Sequence, residues 1–225
     1  MLYVLATNNP GKAKEIKPLF EAAGLRLVTL ADLGVGFEAG EDGETFFDNA
    51  MQKAKETAVF LRERAANGSL PLSVIPGLTQ VASVLADDSG LAIDALGGAP
   101  GVHSALFMGR DTPYPIRCQA LLDKLSHVPE ESRTARFICN LVCLMPNDTF
   151  LKAEGTIEGR IAHKMHGEGG FGYDPIFYYP PYGKTLAQLT NNEKNQISHR
   201  GRAIQKMIGL ILDADIGNKR LPRQD

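Results

Sequence analysis

Apolar positions follow two rhythms along this chain: short unbroken runs between turn formers, and longer stretches at helical spacing. The first run, residues 2–6, reads as a strand entering Thr7-Asn8-Asn9-Pro10-Gly11-Lys12. Ile16, Leu19, Phe20 and Ala23 then recur at helical spacing up to Gly24, with Asn9 suited to the N-cap and Pro10 to the first helical position. Pro18 should bend this helix or remove one of its hydrogen bonds. A second strand, 25–30, precedes an acidic loop (Glu38, Glu41, Asp42, Glu44) and a long helix capped by Thr45, with Asp48 at its third position. Phe46, Asn49, Ala50, Lys53, Ala54, Thr57 and Leu61 share one side of that helix. Residues 67–80 turn loop-like at Gly68, Pro71, Pro76 and Gly77, which predicts a surface insertion. Runs at 81–86 and 91–93 read as buried strands flanking Asp87-Asp88-Ser89-Gly90, a predicted turn that leaves the aspartates at a strand end. The glycines and proline of residues 97–104 demand special backbone angles, and Ile116, Ala120, Leu121 and Leu125 predict a helix. Residues 134–144 alternate loosely, with Phe137, Cys139, Leu141 and Cys143 on one face. Their antiparallel partner is 149–161, turned at Pro146-Asn147-Asp148. A meander among strand–helix units makes the sheet mixed. A last helix carries Ile204, Met207, Ile208 and Ile211, with Ser198 able to cap it.

Length and composition narrow the class. At 225 residues the chain can bury a sizeable core, and 44% hydrophobic with 22% charged residues is ordinary for a soluble globular protein. A formal charge of −2 argues against nucleic-acid binding as the main business. Cys118, Cys139 and Cys143 are odd in number and lack metal-ligand spacing, so they read as reduced core thiols. Without a basic leader or an apolar run near the ~20 residues of a membrane span, the expectation is a cytoplasmic protein with no membrane contact.

Candidate chemistry gathers at five places. Neighbouring strand residues point to opposite faces, so only one of Asp87 and Asp88 can face a given pocket. The plain alternative is a turn with solvated acids. The loop at residues 7–12, with its asparagines, free helix-start amides and Lys12, resembles an anion cradle, though a lone lysine there also suits solvent. It is not a Walker A loop, because Ala13 follows Lys12 where Ser or Thr is required. A glutamate of the acidic loop could help Asp88 hold a divalent cation, or could simply complement the helix dipole. Gly169, Gly170, Phe171, Gly172 and Tyr173 combine close backbone approach with a stacking ring, or else form a tight turn that packs two aromatics. Lys194, His199, Arg200 and Arg202 concentrate positive charge near a helix start, suited to a phosphate or a polar base edge. His163 and His166 are three apart, but Gly167, Gly169 and Gly170 argue against a helix and hence against a metal site there.

The stretches TNNPGKAKE (7–15), ETFFDNA (44–50), LADDSGLAIDALGGAPGVHSA (85–105), GGFGYDPIF (169–177) and EKNQISHRGRA (193–203) occur in an order and spacing that resembles the inosine triphosphate pyrophosphatase family. The resemblance spans about residues 2–213. It implies a single α/β domain over 1–225, an elongated mixed sheet with flanking helices and two lobes around a central cleft, commonly a homodimer. It also implies Mg²⁺-dependent hydrolysis of noncanonical purine triphosphates (ITP, dITP, XTP) to the monophosphate and pyrophosphate, with Mn²⁺ as a substitute. Carried over position by position, Asp88 is the general base and a metal ligand, and Glu41 the second metal carboxylate. Thr7, Asn8, Asn9, Pro10, Gly11 and Lys12 bind phosphates. Ser89, Phe171, Gly172, Tyr173, Asp174, Lys194, His199 and Arg200 contact substrate. Two departures stand out: His103 and Leu106 replace the family's usual Tyr and Arg, and the loop at 67–80 is longer than in compact members. Two rival readings are a housekeeping pyrophosphatase for pyrimidine or modified-base triphosphates, disfavoured by Ser198-His199-Arg200, and a non-enzymatic nucleotide sensor, disfavoured by Asp88 and Lys12.

Overall fold

The computed structural model describes residues 2–70 and 82–220, with 215–220 as backbone only. Seven strands form one open sheet in the order β2-β1-β3-β4-β5-β6-β7. These are β1 (Leu2–Leu5), β2 (Arg26–Thr29), β3 (Ser83–Ile93), β4 (Thr134–Leu144), β5 (Phe150–Ile161), β6 (Phe177–Tyr179) and β7 (Lys184–Thr185). β1 pairs in parallel with β2 and β3, and every later pairing is antiparallel, which makes the sheet mixed as the patterning predicts. The helices are α1 (Pro10–Ala22), α2 (Phe46–Ala66), α3 (Tyr114–Lys124), α4 (Asn191–Ile197) and α5 (His199–Arg220). No helix among the described residues is long and apolar enough to cross a membrane.

The long strands β3 and β4 carry three apolar clusters, two on opposite faces at one end and a third at the other end. At one end, α2 covers one face with Ala50, Ala54, Ala58 and Leu61 against Val84, Ala86, Val142 and Leu144. On the opposite face, Ile16 and Phe20 of α1 and Ile204, Met207 and Ile211 of α5 close over Leu5, Leu85, Cys139 and Leu141. At the other end, Leu91, Ile93, Phe137, Ile157 and Phe177 pack with Cys118 and Leu121 of α3. Between these lobes lies the polar interval Asp87-Asp88-Ser89-Gly90.

That interval is a correction to the predicted turn. β3 runs unbroken through it, and β4 pairs with every residue, Asp87 opposite Leu141 and Gly90 opposite Ile138. Ladder hydrogen bonds to β4 satisfy the backbone that a turn would have satisfied locally, so tertiary pairing overrides turn propensity. Gly90 is required by close approach: a Cβ there would stand 2.4 Å from the Gly101 carbonyl oxygen and 2.5 Å from Ser104 Oγ. Gly155 on β5 serves α5 in the same way, because a Cβ would meet the His199 carbonyl oxygen at 2.1 Å. Small residues at these two points let the loop before α3 and the start of α5 reach the centre of the sheet.

Other readings divide. Asn9 and Thr45 cap α1 and α2 through their side chains, and the Ser198 hydroxyl accepts from the Gly201 amide at the start of α5. The helix predicted from Ile116, Ala120, Leu121 and Leu125 is α3; in it Ile116 is exposed, and Arg117, Cys118, Leu121 and Leu122 are buried. Arg117 can be buried because its guanidinium donates to the carbonyls of Ala105, Gly109 and Arg110 at 2.7, 2.8 and 2.9 Å, fixing the loop before α3. The three cysteines are free and buried, and burial pushes each thiol up to about 12. Of the predicted insertion, residues 67–70 are described and Leu70 packs into the first core; the remainder lies outside the described residues.

Candidate active site

Period-two geometry sends Asp87 and Asp88 to opposite faces of the sheet, and each meets a different set of cations. On the α2 face, Asp88 accepts from Lys53 Nζ at 2.9 Å and from Asn49 Nδ2 at 3.1 Å. Asn49 and Lys53 are one helical turn apart on α2, so both reach the same carboxylate. Lys53 Nζ also lies 2.7 Å from Glu41 Oε1 and donates to the Asp87 carbonyl at 3.1 Å. The carboxylates of Glu41 and Asp88 therefore converge on one ammonium. Burial opposes the charge on Lys53, yet Asp88, Asp87 and Glu41 together hold its pKa above the ordinary lysine value.

On the other face runs a buried chain of alternating charge. Asp174 contacts Lys194 (2.5 Å), Lys194 contacts Glu15 (2.7 Å), and Glu15 contacts Arg200 (2.5 Å). Arg200 reaches Asp87 (3.4 Å), and Asp87 reaches Lys12 (3.1 Å). Such a row is tolerable in the interior only because each charge has an opposite neighbour. Burial works against ionisation of Asp87, but Lys12, Arg200 and Lys53 outweigh it and depress its pKa. Glu15 is depressed likewise by Arg200 and Lys194, whereas burial dominates at Asp174 and raises it.

A cavity opens between the lobes against both sets. Asn9, Lys12, Glu41, Asp88, Ser89, Phe171, Gly172, Tyr173, Asp174, Lys194, His199 and Arg200 all line it. A neighbouring pocket continues the same cleft past Thr7, Asn8, Lys53 and Arg110. The sequence-predicted residues thus come together, with two exceptions. Pro10 faces a groove on the far side of its loop, and Gly11 lines neither part of the cleft. The helix-start amides are not free as expected: Asn9 Oδ1 accepts from Gly11 and Lys12 at 2.9 and 3.2 Å. The N-cap side chain takes up the donors that an anion would otherwise have used, leaving the Lys12 ammonium as the cationic group of this loop.

Lys194 Nζ lies 4.8 Å from the centre of the Phe171 ring, and the Arg200 guanidinium 5.3 Å from it, so two cations attend this ring at the cleft edge. His199 stacks on Phe137 at 4.7 Å with 11° between the rings, and its Nδ1 has no hydrogen-bond partner. Burial first, then Arg200, Lys194 and Lys12, hold His199 well below 6.5 against the pull of Asp87, so it stays neutral at physiological pH. The unfolded chain takes up that proton near pH 6.5 while the native state does not, so stability falls as pH drops below about 6.5, by about 1.4 kcal/mol per unit. Asp87 acts later: its contribution is complete above its unfolded value of 3.8 and is lost as pH falls through and below it. Urea unfolding between about pH 5 and 7 is expected to show this slope in wild type and a flatter one in His199→Gln; equal slopes would assign the proton uptake elsewhere.

Sequence reasoning missed Glu15, Asn49 and Lys53 as site residues, although polar side chains on otherwise apolar helical stripes were the available signal. The profile of the Ham1 family matches residues 3–210. The chain belongs to the Ham1 family. Among its relatives, a Desulforamulus reducens protein named dITP/XTP pyrophosphatase is 44% identical over 94% of this chain and 96% of its own length. A Bacillus subtilis protein of the same name is 41% identical over 92% and 96%. The solved Staphylococcus aureus Ham1 structure superposes with a TM-score of 0.75 at 34% identity, covering 95% of this chain and 100% of that one. This Ham1 chain therefore shares its fold with solved members of the family.

Proposed function

We propose that the chain is a nucleoside triphosphate pyrophosphohydrolase that cleaves ITP, dITP and XTP to the nucleoside monophosphate and pyrophosphate. The observation that carries this reading is the convergence of Glu41 and Asp88 on one cation beside Lys12, in a cleft that also holds Phe171 and the neutral His199. The names of the relatives supply the substrate class.

The donor set suits Mg²⁺, with Mn²⁺ as a substitute. Two hard carboxylates, Glu41 and Asp88, already hold the Lys53 ammonium between them. Mg²⁺ commonly binds through one or two carboxylates, with water and substrate phosphates completing the shell. When bound there it would neutralise phosphate charge and favour deprotonation of a nucleophilic water. Lys12 would add positive potential at the phosphates. Asp88 would orient the attacking water and accept its proton. Because pyrophosphate is the leaving group, attack falls on the α-phosphorus. Phe171 would cover the base, and Lys194 and Asp174 would hold the segment that carries the ring. Homodimerisation and a cytoplasmic location belong to this proposal on the family resemblance.

Pyrophosphate release measured on ITP, XTP, dUTP, ATP and GTP tests it. Rapid turnover of ITP and XTP that disappears with excess chelator and returns with Mg²⁺ or Mn²⁺ is expected. Full activity in chelator would remove the metal, and preference for dUTP would favour the pyrimidine-type reading.

A further inference from the structure

Among the described residues, each cation lining the cleft apart from Arg110 is held by a buried or part-buried carboxylate. Lys12 holds Asp87, Lys53 holds Asp88 and Glu41, and Lys194 and Arg200 share Glu15. Arg110 is different. Its side chain is 63% exposed, and its partner Glu38 is 66% exposed. Arg110 lines the same part of the cleft as Thr7, Asn8, Lys12 and Glu41, and burial raises the pKa of Glu41 while Lys53, Lys12 and, more weakly, Arg110 outweigh it and hold it down.

The two partners come from opposite sides of the cleft. Glu38 follows Phe37, whose carbonyl accepts from Asn8 Nδ2 at 2.8 Å and whose ring stacks on Phe60 of α2. Arg110 sits in the loop whose carbonyls, its own included, are fixed by Arg117. Its backbone is therefore anchored while its guanidinium is exposed. An exposed ion pair contributes little, so exchanging Glu38 for another anion is cheap, whereas stripping a buried cation of its partner is not. A planar guanidinium also suits phosphate oxygens better than a lone ammonium does.

We propose that Arg110 is a substrate-binding residue that exchanges Glu38 for the terminal phosphates of the triphosphate, closing the mouth of the cleft. This rests on the triphosphate reading above. The test compares wild type, Arg110→Ala, Arg110→Lys and Glu38→Gln for KM and kcat on ITP, and for inhibition by inorganic tripolyphosphate and by IMP. Arg110→Ala is expected to raise KM and the tripolyphosphate inhibition constant about 10-fold, with the loss in KM rather than kcat. Inhibition by IMP, which lacks the terminal phosphates, should not move, and Arg110→Lys should fall between. Glu38→Gln removes the competing carboxylate and should lower KM about 3-fold. Unchanged tripolyphosphate inhibition in Arg110→Ala overturns the proposal, as does a KM shift of the same sign in Arg110→Ala and Glu38→Gln, the mark of a mere brace between loops. Failure of wild type to cleave ITP would instead overturn the functional reading, and tripolyphosphate binding would still decide the role of Arg110.

Discussion

Asp88→Asn is expected to abolish pyrophosphate release while leaving the protein folded. The amide keeps the side-chain volume but removes both the proton acceptor and one of the two carboxylates aimed at the cation site. General-base loss alone typically lowers rates 10²–10⁴-fold, and loss of a metal ligand adds to it. The fold should survive because Lys53 keeps Glu41 and the Asp87 carbonyl as partners. Asp87→Asn should behave in the opposite sense. Asp87 is 1% exposed and joins Lys12 to Arg200, so neutralising it leaves Lys12 without its carboxylate and Arg200 with Glu15 alone. Breaking a buried pair in this way typically costs about 3–5 kcal/mol. Turnover assays paired with denaturant unfolding separate the two effects. An active Asp88→Asn enzyme, or an unaltered Asp87→Asn stability, would reverse the roles given to these neighbours.

Selection of the base is expected to be nearly as large an effect. Hypoxanthine and xanthine carry a 6-oxo acceptor where adenine has a 6-amino donor. The sequence suggests His199, Arg200 or the backbone at the helix start as the donor that reads this difference, but the structure commits Arg200 to Glu15, Asp87 and Ser89. On the proposed function, base reading is left to His199 or to the backbone at the start of α5; the histidine is neutral and so offers one donor nitrogen and one acceptor. A site of buried polar groups rejects a mismatched analogue strongly, because its own groups are left unpaired. ITP and XTP should therefore be cleaved on the order of 10³-fold faster than ATP. GTP shares the 6-oxo group and should also be poor. Xanthine bears an oxo group where guanine bears its 2-amino group, so this exclusion needs a polar mismatch rather than bulk. Comparing kcat/KM on the four nucleotides checks the ranking. His199→Leu should narrow the ITP-to-ATP ratio; an equal fall on both would make the histidine structural, and equal wild-type rates would sink purine selection.

Much of the frame is legible in the sequence because it depends on neighbours a few residues apart. Asn9 with Pro10, and Thr45 with Asp48, declare their helix starts through hydrogen bonds that span three residues or fewer. Alternation in 134–144 identifies β4, and the same period of two separates Asp87 from Asp88 onto opposite faces. The order of the five motifs likewise identifies which residues meet in the cleft. What those residues do to one another is decided by the tertiary structure. Turn formers at 88–90 become mid-strand because β4, about fifty positions away in the chain, takes up their backbone hydrogen bonds. Arg200 meets Glu15 across 185 positions, and Lys53 meets Asp88 across 35. Local propensity cannot encode such pairings, since Coulomb attraction depends on distance in space and on burial. So the sequence by itself determined most of the elements and most of the cast of the site, Glu15, Asn49 and Lys53 apart, while the folded sheet decided which carboxylate meets Lys53 and which joins Lys12 to Arg200.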